Sequence, residues 1–316
     1  MAWFWVVVAS GVSVSLLVLR RIVNSAKICP SKAMMTGKTV VITGANCGIG
    51  KSTASELAKR NARVILACRD VGKATKAVNE IRRRTQGGEL VVKYLDLASV
   101  VSIQKFADSL QKEEQRLDVL INNAGVFQCP YTKTKDGFEM QMGVNHIGHF
   151  LLTNLLTDML KKSAPSRVVV VTSSLHKRGT IDFDDLQSER FYSKSKSYAN
   201  SKLANVHFSR ELSRQLYGSN VSVYCVHPGM VMSNVSRHVV PGFIKSLLTP
   251  LALLLGARTN FEGCQTVLYC SVAEEVANET GKYYGNCKME PWHQASNDDG
   301  VAKKLWEVSE KLTKLA

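Results

Sequence analysis

Residues Thr43-Gly44-Ala45-Asn46-Cys47-Gly48-Ile49-Gly50 lie between a β-branched run, TVVIT, and a helical stretch that starts near Lys51. Glycines at a strand-to-helix turn let the backbone approach a phosphate, and the helix's first turn offers unspent N–H groups to its charge. The spacing G-x-x-x-G-x-G is not the commoner G-x-G-x-x-G, and any tight turn can use glycine. The place between strand and helix nevertheless predicts a dinucleotide pyrophosphate held by residues 44–50. The end of the second strand decides which dinucleotide. An NAD site usually has a carboxylate there for the ribose hydroxyls, whereas this chain has Cys68 followed by Arg69. A guanidinium pairs with a 2′-phosphate that a carboxylate would repel, so NADP(H) is the expected cofactor and Arg69 its ligand. Asp70 is the alternative partner for that guanidinium.

Such groups need a scaffold that gathers strand ends. Apolar runs at 39–43, 63–67, 90–95, 119–122, 167–172 and 221–226, with a seventh near 281–284, alternate with helical stretches such as 51–60, 73–84 and 100–115. That alternation reads as βαβ repetition, and continuous apolar strands belong in a parallel sheet covered on both faces. The expected fold is α/β, a Rossmann-type doubly wound parallel sheet of about seven strands in one domain, residues 37–316. Residues 231–262 break the rhythm with two prolines and the leucine runs 247–248 and 251–255. They are too short to cross a membrane and read as core or as a segment covering an apolar substrate pocket.

Composition narrows the partners. The net charge of +15 is spread along the chain, with only Arg20-Arg21 and Arg82-Arg83-Arg84 clustered, and no zinc-finger or RNA-binding pattern accompanies it. Nucleic acid is therefore not expected, whereas a phosphorylated cofactor and an anionic membrane surface suit the balance. None of the eight cysteines forms a C-x-x-C pair, so no metal site is expected, and their scatter fits reduced thiols facing the cytosol.

Residues 2–19, AWFWVVVASGVSVSLLVL, carry no charge; as a helix they rise ~27 Å, enough to cross a hydrocarbon core with little tilt. Trp3 and Trp5 mark one interface. Arg20, Arg21 and Lys27 mark the other, which places the bulk of the chain in the cytoplasm. A cleavable signal peptide is the competing reading. It would need charge before the apolar stretch and small residues after it, where Arg20-Arg21 stands. Residues 1–20 are expected to be an uncleaved transmembrane helix, with 21–36 connecting it to the domain.

The TGANCGIG loop, Asn122-Asn123-Ala124-Gly125 and Tyr198-x-x-x-Lys202 together resemble the short-chain dehydrogenase/reductase family over nearly all residues from Gly37 onward. The stretches INNAGVFQCPYTKTKDGFEMQMGVNHIGHFLLTNLL, YANSKLAN and VHPGMV resemble its retinol dehydrogenases. Y-x-x-x-K occurs four times, at Tyr131, Tyr192, Tyr198 and Tyr284, but only Tyr198 opens a sustained amphipathic helix. The resemblance implies a tetrad of Asn145, Ser174, Tyr198 and Lys202. Tyr198 moves the proton, and Lys202 and an oxidised nicotinamide favour its phenolate, since a free phenol near pKa 10 is a poor base at neutrality. Ser174, the second serine after the fifth strand, would bond the substrate's reacting oxygen, and Asn145 would hold a water on the proton path. Asp96 would contact adenine, Asn123, Ala124 and Gly125 would line the cofactor's crossing, and Pro228, Gly229 and Val231 would reach its nicotinamide end. His146 and His149 read as surface or packing residues.

The family implies hydride transfer between NADP(H) and a lipophilic alcohol or aldehyde, foremost retinol or retinal, at the cytosolic face of the endoplasmic reticulum membrane, and allows a homodimer. Steroid or lipid-derived carbonyls are the alternative substrates. A non-catalytic NADP-binding membrane scaffold is the alternative of another class.

Overall fold

The computed structural model describes residues 26–231 and 256–315, together with Trp3, Thr249, Ala252 and Leu253. Seven parallel strands, β1 Thr39–Thr43, β2 Arg63–Cys68, β3 Glu89–Tyr94, β4 Val119–Asn122, β5 Ser166–Val171, β6 Val221–His227 and β7 Lys282–Gly285, form one sheet. Their order, β3-β2-β1-β4-β5-β6-β7, reverses direction between β1 and β4 and so opens a crevice at the strands' C-terminal ends. The sheet is doubly wound as expected. A three-residue eighth strand, β8 Lys288–Glu290, adds antiparallel to β7. Its turn, Asn286-Cys287, has φ of 52° and 54°, the hairpin geometry in which both central residues are left-handed.

Strand alternation sorts the core into two layers. Val40 and Ile42 pack with Leu57, Val64, Leu66 and Val267 beneath α1 Gly48–Lys59 and α6 Asn260–Val272. Val41 and Ile65 face the other way, onto Phe106, Leu110, Phe150 and Leu156 of α3 Val100–Glu113 and α4 Gly148–Lys162. Helix α2 Val71–Arg82 covers β2 and β3, α5 Lys194–Gln215 backs β5 and β6, and α7 Asp299–Thr313 packs on α5. Helix α5 begins four residues before Tyr198, because a wholly hydrophilic first turn, Lys194–Ser197, precedes the amphipathic part.

Among the described residues no helix is long and apolar enough to cross a membrane; the expected anchor, apart from Trp3, lies outside them. Most of 231–262 also lies outside. Its end does not, and there the chain leaves the expected cover. Arg258 bridges to Val231, and Thr259 and Glu262 form a reciprocal capping box that starts α6.

Candidate active site

The glycine loop is built against the turn that follows β4. Gly44 has φ of 66°, and a Cβ there would stand 2.9 Å from Ala124 Cα; one on Gly50 would stand 2.5 Å from Asn123 Nδ2. Buried Thr43 joins the two segments. Its hydroxyl oxygen accepts from the N–H groups of Asn123 and Ala124, both at 2.9 Å. Thr43 also lies 2.9 Å from His149 Nε2, while His149 Nδ1 lies 2.9 Å from the Asn145 carbonyl. A carbonyl only accepts, so Nδ1 carries the proton, Nε2 accepts, and Thr43 donates. Burial pushes His149 down to about 4, which keeps this tautomer neutral.

Helix α1 starts at Cys47 with no side-chain cap and no acid in its first turn, so its N–H groups are unspent toward an anion. The close-packed glycines, which leave no room for a Cβ, complete a cradle that fits a dinucleotide pyrophosphate. Cys68 is buried beside the loop, and burial pushes its thiol up to about 11, the Ala45 and Asn46 amides opposing the shift. Arg69 is exposed and forms no ion pair among the described residues. Asp70 is not its partner. It caps α2 through Lys73 N at 2.9 Å and pairs with Lys73 Nζ at 2.8 Å. Asp96, at the end of β3, is buried, accepts from Ala98 N, and has Lys135 Nζ at 3.6 Å. On the other side of the cradle, Arg258 donates to the Pro228 carbonyl, and Gly229 has φ of 80°. Val231 meets Ile49 over Gly263, where a Cβ would contact both.

The candidate reacting groups gather beside this cradle. Tyr198 is buried, with the Ser173 hydroxyl close enough to favour its phenolate and its ring edge-on to Phe127 at 4.6 Å. Ser173 Oγ accepts from Leu175 N at 3.2 Å, which leaves its own proton for Tyr198 or a substrate oxygen. Lys202 Nζ lies 5.9 Å from the Tyr198 ring centre and donates to the Val171 carbonyl at 3.0 Å. Burial pushes Lys202 down to about 8 and Tyr198 up to about 12, the Ser173 bond opposing the latter. Gly125 closes the floor. A Cβ on it would stand 3.2 Å from Asn145 Oδ1 and 3.6 Å from Lys202 Nζ. Asn145 sits in a π-helical turn, Gly143–Ile147, of the kind that often marks functional sites.

A short chain dehydrogenase family model matches residues 38–242. Human retinol dehydrogenase 14 is 50% identical over 296 residues, which cover 89% of this chain and 88% of that protein. Human retinol dehydrogenase 12 is 50% identical over 287 residues, covering 90% and 89%. A solved structure of a putative uncharacterized protein from Mycobacterium paratuberculosis shares 36% identity with a TM-score of 0.72, over 92% of this chain and 98% of that one. The chain belongs to the short-chain dehydrogenase family. It is an NAD(P)-dependent oxidoreductase of the alcohol dehydrogenase type, related to the retinol dehydrogenases.

Within this short-chain dehydrogenase, Tyr198, Lys202, Asn145 and Gly125 lie together, while of the two serines after β5 Ser173 is half-buried and Ser174 exposed. The chain leaves β5 extended through Ser173 and turns at Ser174 into a short 3-10 helix. Of the pair, Ser173 is the one whose hydroxyl bears on the Tyr198 phenol, opposing the effect of burial. Asn145 is held on three sides. Its amide is engaged by Val126 N at 2.8 Å, Val126 O at 3.0 Å and Ser201 Oγ at 2.9 Å. His149 is a tie between β1 and the π turn rather than mere packing, whereas His146 is a packing residue, its Nε2 on Ser309 at 2.9 Å. Sequence reasoning also missed Thr43 and Phe127. Thr43 carried a usable signal as the last residue of a strand entering the glycine loop.

Proposed function

We propose that this short-chain dehydrogenase interconverts a lipophilic alcohol and its aldehyde with NADP(H), retinol and retinal first among them, while anchored to the endoplasmic reticulum membrane by residues 1–20. The observation that carries the reading is the meeting of Tyr198, Ser173 and Lys202 beside the glycine cradle. Arg69 beyond β2, exposed and without an ion pair among the described residues, supports NADP(H), its guanidinium suiting a 2′-phosphate. The retinoid substrate is supported by the names of relatives at about half identity, and the anchor by the uncharged residues 2–19.

A nicotinamide bound beside these groups would supply or take up the hydride. In reduction, Tyr198 donates its proton to the carbonyl oxygen while the Ser173 hydroxyl bonds that same oxygen. Burial keeps the phenol protonated, the form reduction requires. As the proton leaves, the Lys202 ammonium stabilises the nascent phenolate. Asn145, pinned by Val126 and Ser201, fixes the floor beside the Lys202 amine. Phe127 packs Tyr198 in position and presents an apolar wall to the reacting centre.

The reading is tested with detergent-solubilised full-length protein, by measuring NADPH and NADH oxidation with all-trans-retinal, steroid ketones and aliphatic aldehydes. Retinal reduction that prefers NADPH is expected. Activity on the other carbonyls alone would discard the retinoid, and a preference for NADH would discard the role given to Arg69. Binding of NADPH without turnover of any carbonyl would favour the scaffold.

A further inference from the structure

The path of residues 26–38 fixes which edge of the sheet the N-terminus leaves. Lys27 N donates to Asn286 Oδ1 at 2.8 Å, and the Lys27 carbonyl lies 3.5 Å from Cys287 Sγ. Both partners belong to the β7–β8 turn, just past the C-terminal end of β7. Cys29 N donates to Gln265 Oε1 on α6 at 3.1 Å. The chain then crosses the α1–α6 layer, where Met35 N donates to Arg60 O, and enters β1 from its other end. Lys27 therefore lies at the C-terminal edge of the sheet, the edge that carries the glycine loop, Tyr198 and Ser173.

Four large apolar side chains stand exposed around that exit: Ile28 at 53%, Met230 at 65%, Phe261 at 46% and Met289 at 56%. One hydrogen-bonded node ties them together. Asn286 Oδ1 accepts from Lys27 N and Arg258 Nη2, Arg258 N donates to the Met230 carbonyl, and Gln265 Nε2 donates to the Phe261 carbonyl. Met289 follows in β8, two residues beyond the turn. Lys27, Lys32 and Lys288 are exposed nearby. The acids of this region are spent, Glu262 on the α6 cap and Glu290 on His227 at 3.2 Å. Scattered exposed apolar residues are ordinary, whereas four linked through one hydrogen-bonded node, with basic neighbours, call for an occupant.

We infer that the catalytic edge faces the membrane, and that Ile28, Met230, Phe261 and Met289 rest in the phospholipid interface. The inference rests on reading residues 1–20 as an anchor. Residues 20–26, at ~3.5 Å each, reach at most ~25 Å, while a domain of this length is roughly 50 Å across. So short a tether cannot let the edge bearing Lys27 turn away from the bilayer. The apolar rim and the lysines complement the acyl–headgroup boundary and anionic headgroups. A lipid-dissolved substrate then reaches Tyr198 from the bilayer rather than through water.

The test uses full-length protein in phosphatidylcholine–phosphatidylserine nanodiscs. Phe261→Cys, Met289→Cys and Tyr217→Cys variants are labelled with a small fluorophore, with labelled wild type as the thiol background. Tyr217 is 88% exposed and precedes β6, on the opposite edge. Nitroxide-bearing lipid should quench labels at 261 and 289 several-fold more than at 217, with NADPH binding retained in every variant. Equal quenching at all three positions in protein that co-migrates with the discs overturns the inference and leaves the anchor standing. Labels at 261 and 289 shielded from both lipid quencher and aqueous iodide would show a second copy of the chain on this face, and would also overturn it. Failure of wild type to co-migrate with the discs removes the anchor and the inference together.

Discussion

Replacing Thr43 by valine keeps the side chain's shape and removes one hydroxyl from a fully buried position. That hydroxyl satisfies three groups, the N–H of Asn123, the N–H of Ala124 and Nε2 of His149, each at 2.9 Å. A buried polar group left without its partner costs about 1–3 kcal/mol, and the two amides sit in a half-buried turn, so the lower end applies to each. The sum is about 2–4 kcal/mol. For a domain of this size each kcal/mol lowers Tm by roughly 2 °C, giving a fall of about 4–8 °C. Thr43→Ser keeps the hydroxyl and loses one methyl, about 1 kcal/mol or ~2 °C. Thermal unfolding of the solubilised full-length variants with and without NADPH reads both numbers. The valine variant should also lose most of the cofactor's stabilisation, because the loop and the Asn123–Ala124 turn are no longer tied. A valine variant as stable as the serine variant would refute the assignment of Thr43 as the tie.

Ser173→Ala should lower kcat by at least tenfold while Ser174→Ala stays near wild type; the reverse order would restore the reading made from sequence. Arg69→Ala should raise the KM for NADPH about tenfold and leave that for NADH within twofold, as befits one exposed charge-assisted contact. Lys202→Met should abolish turnover yet raise stability at pH 7. The folded-state value of about 8 lies below the usual lysine value, so the penalty for burying the charge is full below pH 8 and is relieved as pH rises toward 10.5. The stability gap between Lys202→Met and wild type, measured by denaturant unfolding, should close over that window. His146, His149, His176 and His207 are held neutral by burial, pushed down to about 3, 4, 4 and 4. Unfolding lets them take protons near pH 6.5, so stability should be flat between pH 7 and 8 and fall steeply from 6.5 toward 4; a flat profile from 6.5 to 4 would contradict the burial.

The parts legible in the sequence were those set by burial on both faces. Strands β1 and β4 fall at the expected residues because a strand covered on both sides must be continuously apolar, and polar turns bound it sharply. Helix starts were less legible. The first turn of α1 is the glycine loop itself, and that of α5 is a run of serine and lysine with no apolar rhythm. Strand β8 hides because its turn uses Asn286-Cys287, and cysteine is not a turn signal. In the site, Tyr198 and Lys202 could be read because the family resemblance called for a Tyr-x-x-x-Lys pair and only Tyr198, of four such tyrosines, opens a sustained amphipathic helix. Ser173 could not be told from Ser174, since the choice depends on the residue at which an extended chain coils into a 3-10 turn. The His149 tie was hidden in the same way, by a π turn that sets its ring against Thr43, over a hundred residues earlier in the chain.

The central claim is that Tyr198, beside Ser173 and Lys202, moves the proton in an NADPH-linked carbonyl reduction. Its most direct test is Tyr198→Phe in the full-length protein, with NADPH binding followed by fluorescence and turnover followed with all-trans-retinal. NADPH affinity within threefold of wild type, with turnover lower by at least a thousandfold, is the predicted result. Turnover that survives the loss of the hydroxyl would contradict the account.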